Sequence, residues 1–342
     1  MQDEVLGIDI GKTWFHNVGC NRAGKVVMRK KLNRTELLET IANLPQCLIG
    51  MEACPGSQFL ARELANLGHD VRLIAPKHVK PYLPAQKNDF NDARAIAEAV
   101  TRPMIRFVPV KSASQLDLQA LHRVRSRVVT DRTAVINQIR GFLLGVGIPI
   151  KSGRVALDRC ISTVLEDTDN ALTPTMRLLL QRLRRQWKAP DTEIAEITQE
   201  IKVIAKADAN CRRIQTIPGI RLLGATAIVA AIGNGSAFRS GRQLAAWLGM
   251  VPRQHSTGGK ARLGHISKHG DTYIRTLLMH GARAVVQNLK RERHRFGEWL
   301  SHLELRAHKN VVIGAVANKL ARIVWCVLSR GEDYRGAIQT PT

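Results

Sequence analysis

Leu6-Gly-Ile-Asp-Ile-Gly-Lys12 is a short β-rich segment with an acidic residue at its centre. Because side chains alternate along a strand, Gly7 and Asp9 share one face and the isoleucines take the other. A carboxylate beside buried apolar residues is costly unless a cation or a hydrogen-bond donor meets it. The segment therefore predicts a strand that presents Asp9 next to a small residue, where a ligand has room.

The rest of the N-terminal third predicts a mixed α/β sheet with helices packed on it. Two further strands, 14–19 and 25–31, follow the first and are joined by a turn, which is the pattern of an antiparallel meander. The elements then alternate. Helices are predicted at 34–42, 56–67 and 88–101, and buried strands at 46–53 and 69–75.

Three more carboxylates occupy corresponding places in these elements. Glu52 ends a predicted buried strand two residues after Gly50, which repeats the arrangement at Asp9. Asp89 and Asp92 are three residues apart at the start of a helix and share one of its faces. On their own, these two aspartates are better explained as acidic residues that complement the helix dipole.

Four clustered carboxylates repel one another unless divalent cations neutralise them. Carboxylate oxygens are hard ligands and favour Mg²⁺, with Mn²⁺ as an alternative. A pair of such ions can activate the attacking group and stabilise the leaving oxygen in phosphodiester cleavage. The acidic residues therefore predict a nuclease-type site.

Charge separates the front of the chain from the remainder. The 342 residues include 52 Lys and Arg against 28 Asp and Glu, a net charge of +24. The first hundred residues are nearly neutral, so the excess lies behind them, and Asp271 is the single acidic residue between positions 211 and 290. A basic solvated surface is the alternative, but an excess of this size predicts a nucleic-acid partner and salt-sensitive affinity.

Two other features bear on the environment of the protein. Its six cysteines are dispersed without a Cys-x-x-Cys pair, which argues against a zinc site or a disulfide framework and suits a reducing cytosol. The longest nearly uncharged apolar run, 222–233, is shorter than the about 20 residues that cross a bilayer. We expect a cytoplasmic, nucleoid-associated protein with no membrane partner.

From about residue 112 the pattern changes to long helices. Isoleucines recur at spacings of three and four residues, which predicts a coiled-coil seam or a helical arm, with core packing as the alternative for each residue singly. They are Ile194, Ile197, Ile201 and Ile204. A Pro-Gly turn within 214–220 resembles a helix-hairpin-helix, whose amides can bind phosphate, but Arg221 replaces its second glycine. A plain helical turn fits that segment equally well.

A polar, glycine-rich loop at 252–270 supplies hydroxyls, imidazoles and cations. A phosphate-binding loop would account for this composition. The alternative is covalent catalysis, in which the Ser256 hydroxyl attacks a phosphodiester and nearby cations stabilise the developing charge. The candidate cations for this role are Arg253, Lys260, Arg262 and Lys268, and Arg275 is added to them as a candidate nucleic-acid contact.

The G-I-D-I-G-K opening, the M-E-A segment and Lys87-Asn-Asp-Phe-Asn-Asp-Ala-Arg94 together resemble the DEDD transposases of bacterial insertion sequences. The resemblance covers nearly the whole chain. It implies an RNase H-like (RuvC-like) N-terminal domain whose metal-binding tetrad falls on Asp9, Glu52, Asp89 and Asp92. It also implies a serine nucleophile in the C-terminal loop that acts together with the tetrad. Ser256 is the assigned residue, and Thr257 is the rival position.

The resemblance further implies a structured guide RNA, donor and target DNA as partners, and homodimers that assemble into a tetramer. Four regions are predicted: a RuvC-like domain at 1–108, a helical arm at 109–209, a mainly helical transposase domain at 210–332 and a tail at 333–342. A Holliday-junction resolvase that uses water and a non-catalytic nucleic-acid-binding protein remain alternatives. A sugar-kinase-like ATPase also opens with a D-x-G strand, but a second phosphate loop of that kind is not found in the sequence.

Overall fold

The computed structural model of the chain describes residues 5–84 and 88–336. The chain divides into two compact units, Met1–Ser112 and Ala113–Thr342. Lys87, which begins the acidic motif Lys87–Arg94, and residues 337–342 of the predicted tail lie outside the described residues. The predicted boundaries at 108/109 and 209/210 stay predictions.

The first unit is a six-stranded mixed sheet with helices on both faces. Its strands lie in the order β3-β2-β1-β4-β5-β6. They are β1 Val5–Ile10, β2 Phe15–Cys20, β3 Val26–Leu32, β4 Leu48–Glu52, β5 Asp70–Ile74 and β6 Phe107–Val108. Its helices are α1 Arg34–Ala42, α2 Ser57–Asn66, α3 Pro76–Val79 and α4 Asp89–Val100, with a 3₁₀ turn at Lys80–Tyr82.

Strand direction alternates at the edges and is parallel in the centre. β1 pairs antiparallel with β2 and parallel with β4, β4 pairs parallel with β5, and β6 returns antiparallel. This mixed sheet fits the RNase H-like fold that the resemblance implied. The strand predicted at 14–19 begins one residue later, because Trp14 is outside the sheet and 44% exposed. The two-residue β6 was not predicted, since it is too short to show alternation.

Two apolar layers enclose the sheet. On one face the core formed by Leu6 and Ile8 of β1 extends to α1 and α2 through Leu37 and Leu64. On the other face α4 presents mainly small residues, among them Ala93, Ala95, Ala97 and Ala99. These alanines allow α4 to lie unusually close to the strands.

Glycines in the two central strands make that approach possible. A Cβ atom on Gly7 would lie 2.0 Å from the carbonyl oxygen of Ala93 and 2.6 Å from the amide nitrogen of Ala97. A Cβ atom on Gly50 would lie 2.9 Å from the Cβ of Val100. At Gly7 the strand therefore faces the backbone of α4, whereas at Gly50 it faces side chains of α4.

The second unit is mainly helical. Its helices are α5 Ala113–Gly145, α6 Arg154–Glu166, α7 Pro174–Lys188, α8 Pro190–Ala207, α9 Ala209–Gln215, α10 Leu222–Ile232, α11 Gly241–Trp247, α12 Thr272–Asn288, α13 Gly297–Glu304 and α14 Lys309–Arg330. A two-stranded hairpin of β7 Pro252–Gln254 and β8 Leu263–Ile266 and a 3₁₀ turn at Arg291–Arg293 interrupt the helices. The hairpin corrects the expectation of an irregular loop at 252–270.

The isoleucine stripe of α8 packs within this unit. Ile197 and Ile201 are buried in one cluster with Leu118 of α5 and Ala230 of α10. These contacts account for the burial of the two residues by packing against helices of the same unit. The coiled-coil arm itself stays a prediction.

Helix α14 is long and apolar enough to cross a membrane by length and composition alone. In the structure it is a core helix that packs against α11 and α12. Val316, Ala317 and Leu320 on it are completely inaccessible to solvent. A buried core helix passes the same test of length and composition, so this helix is weak evidence for a membrane span.

The contact between β1 and α4 makes a stability prediction. We expect Gly7→Ala to lower the free energy of unfolding by about 3 kcal/mol, because the new methyl group meets backbone atoms that cannot turn away. Gly50→Ala is the matched control and should cost only about 1–2 kcal/mol, since it meets side chains. Urea unfolding followed by circular dichroism measures both. Equal losses would contradict the close backbone contact.

Candidate functional site

Three of the four predicted acidic residues come together at the carboxyl end of β1. Asp9 lies near the end of this strand, and Asp89 and Asp92 are in the first turn of α4. One carboxylate oxygen from each can be chosen so that all three lie within 4.8 Å of one another. Asn88 caps the helix by accepting a hydrogen bond from the Phe90 amide at 2.9 Å, which fixes the start of α4 beside the strand.

Glu52 lies close enough to interact with this group but is not one of its three members. It ends β4, the parallel neighbour of β1. Partial burial, followed by repulsion from Asp9 and Asp92, raises the pKa of the Glu52 carboxyl above its usual value. The structure therefore places the fourth predicted residue in the same electrostatic environment.

The pKa of the Asp9 carboxyl is shifted in the same direction as that of Glu52. Burial, followed by repulsion from Asp92 and Asp89, raises the pKa of the Asp9 carboxyl, and His16 acts in the opposite direction. The folded chain thus holds the carboxylates of Asp9 and Glu52 in a place that disfavours their negative charge. Such an arrangement suits a site that binds cations.

His16 is a neighbour of the acidic residues that the sequence reasoning did not identify. It pairs directly with Asp9 across the β1–β2 ladder, and its Nδ1 lies 3.6 Å from Oδ2 of Asp89. The imidazole also packs edge-on against Phe90, with ring centroids 4.8 Å apart. The hairpin register could have revealed it, because directly paired residues share one face of the sheet.

The donor atoms of this site fit a divalent cation. Asp9, Asp89 and Asp92 offer only carboxylate oxygens, which are the ligands that Mg²⁺ and Mn²⁺ prefer. Two of the three side chains are partly buried and the third is exposed, so the cluster is open to solvent and to a substrate. The three acids can therefore hold a metal ion that a phosphodiester could reach.

Ser256 lies in the second unit, in the connection between β7 and β8. Its Oγ accepts hydrogen bonds from Nε2 of Gln254 at 2.9 Å and from the backbone amide of Arg262 at 3.3 Å. Thr257 forms a backbone bridge with Lys260, and Gly258 and Gly259 turn the chain with positive φ angles. The rival hydroxyls are thus distinguished, because Ser256 has two side-chain hydrogen bonds and Thr257 lies at the turn.

The five candidate basic residues differ in what their side chains do in the folded chain. Arg253 donates from Nε and Nη2 to the carbonyl of Ser267, and Arg275 donates from Nη1 to the carbonyl of Leu248. These two guanidinium groups hold the local backbone. The side chains of Lys260, Arg262 and Lys268 are exposed. The first two lie in the connection between β7 and β8, and Lys268 follows β8.

The Pro-Gly turn forms a pair of helices, α9 and α10, as the sequence indicated. Gly219 has a φ of +83°, and a Cβ atom on it would lie 2.6 Å from the carbonyl oxygen of Gly281 in α12. Arg221 precedes α10 in an extended conformation that any residue adopts, so no glycine is needed there. The close packing of this turn against α12 explains the glycine at position 219. Phosphate binding at the turn stays a prediction.

Comparisons with known proteins identify the family of the chain. A family model described as a DEDD transposase of the IS110 type matches residues 6–148, and one described as "Transposase IS116/IS110/IS902 family" matches residues 211–297. A probable family 20 transposase of Pseudomonas aeruginosa is 46% identical, with 96% of this chain and 98% of the relative covered. The chain belongs to the IS110 family of transposases.

Two further relatives extend the agreement. The transposase for insertion sequence element IS1111A of Coxiella burnetii is 40% identical, covering 97% of this chain and 91% of the relative. The transposase for insertion sequence element IS1328 of Yersinia enterocolitica is also 40% identical, with 96% and 98% covered. Membership of the family supports a DNA-cutting recombination enzyme and, with the acidic cluster, the use of a divalent metal in general terms.

The acidic cluster predicts an unusual pH dependence of stability. The pKa values of Asp9 and Glu52 are raised in the folded chain. Between the ordinary pKa of each carboxyl in the unfolded chain and its raised pKa in the folded chain, the folded chain therefore binds more protons than the unfolded one. The free energy of unfolding should therefore fall as the pH rises through this interval. In metal-free buffer, Asp9→Asn should raise the free energy of unfolding at pH 7 relative to the wild type.

Thermal unfolding at several pH values measures this difference. The gain should disappear below the ordinary carboxyl pKa of about 4, where the wild-type group is protonated as well. Asp70→Asn is the control, because Asp70 is paired with Arg72 at 2.6 Å and should give no gain. An Asp9→Asn variant that is destabilised equally at every pH would contradict the electrostatic account.

Proposed function

We propose that this transposase cuts and rejoins DNA through a divalent-metal site formed by Asp9, Glu52, Asp89 and Asp92 and a covalent serine–DNA intermediate at Ser256. The observation that carries the proposal is the convergence of carboxylates from β1 and α4 within 4.8 Å. Acidic residues that only cap a helix have no reason to meet a carboxylate from a strand. The family membership of the chain supports the same reaction class.

The reaction assigned to the serine is a transesterification. The Ser256 oxygen attacks a phosphorus atom of the DNA backbone, the bond from phosphorus to one ester oxygen breaks, and the serine proton ends on that leaving oxygen. The serine–phosphate ester then reacts with the hydroxyl of another DNA end, which restores a phosphodiester and the free serine. The number of ester bonds is conserved, so no external energy source is needed.

Local geometry supports Ser256 in this role. The two hydrogen bonds that its Oγ accepts stabilise negative charge as it develops on that oxygen. They also leave the hydroxyl proton free to be removed. The exposed cations Lys260, Arg262 and Lys268 are available for backbone phosphates, with Arg253 and Arg275 as supporting residues.

The carboxylates have a different part in the proposal. A bound Mg²⁺ or Mn²⁺ would supply positive charge for the phosphoryl oxygens and lower the cost of holding the attacking or leaving oxygen as an anion. Asp9, Asp89 and Asp92 would hold the ion, and Glu52 would complete the ligand set or a second site. His16 on β2 lies beside Asp89, with its Nδ1 3.6 Å from Oδ2.

Guidance by an element-encoded RNA and assembly of homodimers into a tetramer are further parts of the proposal. They rest on the resemblance to DEDD transposases and on the basic composition of the second unit. RNA-delegated specificity is compatible with a basic protein that recognises backbone and shape while base pairing selects the sequence.

A DNA strand-exchange assay tests the serine step. We expect Ser256→Ala to lower the rate of strand exchange by about 10³-fold or more. Loss of a nucleophile typically costs as much as loss of all the groups that act together with it. A denaturing gel should show a protein–DNA adduct with the wild type and none with this variant. Thr257→Ala is the matched control and should keep both the adduct and the activity.

The same assay separates the rival functions. Retained DNA cleavage by Ser256→Ala with water as the nucleophile would indicate a resolvase and overturn the covalent step. An adduct that is lost in Thr257→Ala instead would move the nucleophile by one residue. Treatment of the assay with ribonuclease should abolish exchange, and full activity after this treatment would remove RNA from the proposal.

Calorimetric titration with Mn²⁺ tests the metal site independently of DNA. We expect Asp9→Asn to weaken binding by at least about tenfold, since changes even beyond the ligands typically cost roughly 10–100-fold. The control is Asp70→Asn, which has the same net charge as Asp9→Asn but changes a residue outside the cluster. It should bind Mn²⁺ as the wild type does. Equal weak binding by all three proteins would favour a non-catalytic nucleic-acid-binding protein.

A further inference from the structure

A cavity of about 1300 Å³ lies within the second unit, beside the serine hairpin. Its walls come from the long helix α14, from both hairpin strands, from the start of α11 and from Trp299 of α13. Pockets that bury a drug-sized ligand typically measure roughly 300–1,000 Å³. The cavity is therefore large enough for a segment of a polymer.

One part of the lining is apolar and aromatic. Met279, Trp299 and Trp325 contribute to it, together with Val311 and Ile323. The indole of Trp325 is fixed by a hydrogen bond from Nε1 to the carbonyl of Phe238 at 2.9 Å. Two tryptophans in a concave surface are suited to contacts with flat rings.

The other part of the lining is cationic. Arg242, Lys268, Lys319 and Arg322 line the cavity, and no acidic residue is found among its described lining residues. Lys319 lies over the ring of Trp299, with Nζ 3.9 Å from the centroid. Burial and then the nearby Arg322 lower the pKa of Lys319, so an anion in the cavity would relieve an unfavourable charge.

Gly314 in α14 marks a place where the cavity is open. Glycine lowers the stability of a helix interior relative to alanine, so a mid-helix glycine usually has a packing reason. At Gly314 there is none within the described chain, because a Cβ atom would meet nothing within 4 Å. Gly314 lines the cavity, and the open space in front of it is part of the room for a ligand.

We propose that this cavity binds an unpaired segment of single-stranded nucleic acid, with bases against the tryptophan-lined wall and phosphates at Arg242, Lys268, Lys319 and Arg322. A duplex presents phosphates but keeps its bases stacked, so it would not use the apolar wall. An acidic peptide would satisfy the cations but lacks flat rings for the tryptophans. Base stacking with a cationic groove is how single strands are bound without sequence preference.

This inference rests on the proposed function only in taking nucleic acid as the partner. It adds the form of the nucleic acid and the place where it binds. The exchange assay above can fail while the cavity still binds single strands, and the reverse can also occur. The test is therefore a binding measurement in the presence of a chelator, where no cleavage takes place.

The probe is a fluorescein-labelled oligothymidine, compared with a duplex of oligothymidine and oligoadenosine of equal length. We expect Gly314→Leu in the full chain to weaken binding of the single strand by about tenfold or more, the effect of losing base stacking, and to leave duplex binding within about twofold. Gly141→Leu is the matched control, because Gly141 is also a helical glycine with open space in front of it but does not line the cavity.

Fluorescence anisotropy measures the affinities, and circular dichroism confirms that each variant is folded. Should Gly314→Leu not fold, Arg322→Gln replaces it, with Arg185→Gln on α7 as its control. Arg322→Gln should weaken binding of the single strand and reduce its salt dependence, whereas Arg185→Gln should change neither. Unchanged single-strand binding in the cavity variant, or equal losses for single strand and duplex, would overturn the proposal.

Discussion

The site depends on one contact, the approach of α4 to the backbone of β1 at Gly7. A helix normally packs on a sheet through side chains of both elements, which keeps their backbones well apart. Here the strand offers no side chain at Gly7, and the helix offers alanines at positions 93 and 97. Because the helix can descend onto the strand, its first turn arrives beside the end of β1. Asp89 and Asp92 therefore reach Asp9, although about 80 residues of chain separate them.

That convergence is unfavourable for the isolated fold. Burial and mutual repulsion raise the pKa values of Asp9 and Glu52, so at neutral pH their negative charges are held where they cost stability. Apolar contacts on both faces of the sheet offset this cost. Carboxylates that are held at such a cost on a well-packed scaffold are typical of a site built for ligands.

Much of the first unit could be predicted from sequence, because its elements obey simple periodicities. Helix α1 has the predicted bounds, and the acidic residues were placed on the correct strands and helix. The short β6 and the hairpin β7–β8 were missed for physical reasons. Two residues cannot show alternation, and the hairpin is largely exposed, so no buried face imposes an apolar pattern on it. His16 was missed because its role follows from strand register and not from local sequence.

The hairpin also explains why a serine in an otherwise polar loop is chemically distinct. In an irregular exposed loop, the hydroxyl of Ser256 would exchange hydrogen bonds with water and carry no fixed orientation. The pairing of β7 with β8 instead brings the amide of Arg262, the residue just before β8, to Oγ, while Gln254 reaches it from the end of β7. Both groups donate, so the oxygen is held by its lone pairs and its proton remains free. Ser57 donates to the carbonyl of Cys54, whereas the Ser256 oxygen accepts from two donors, a geometry that supports the role proposed for it.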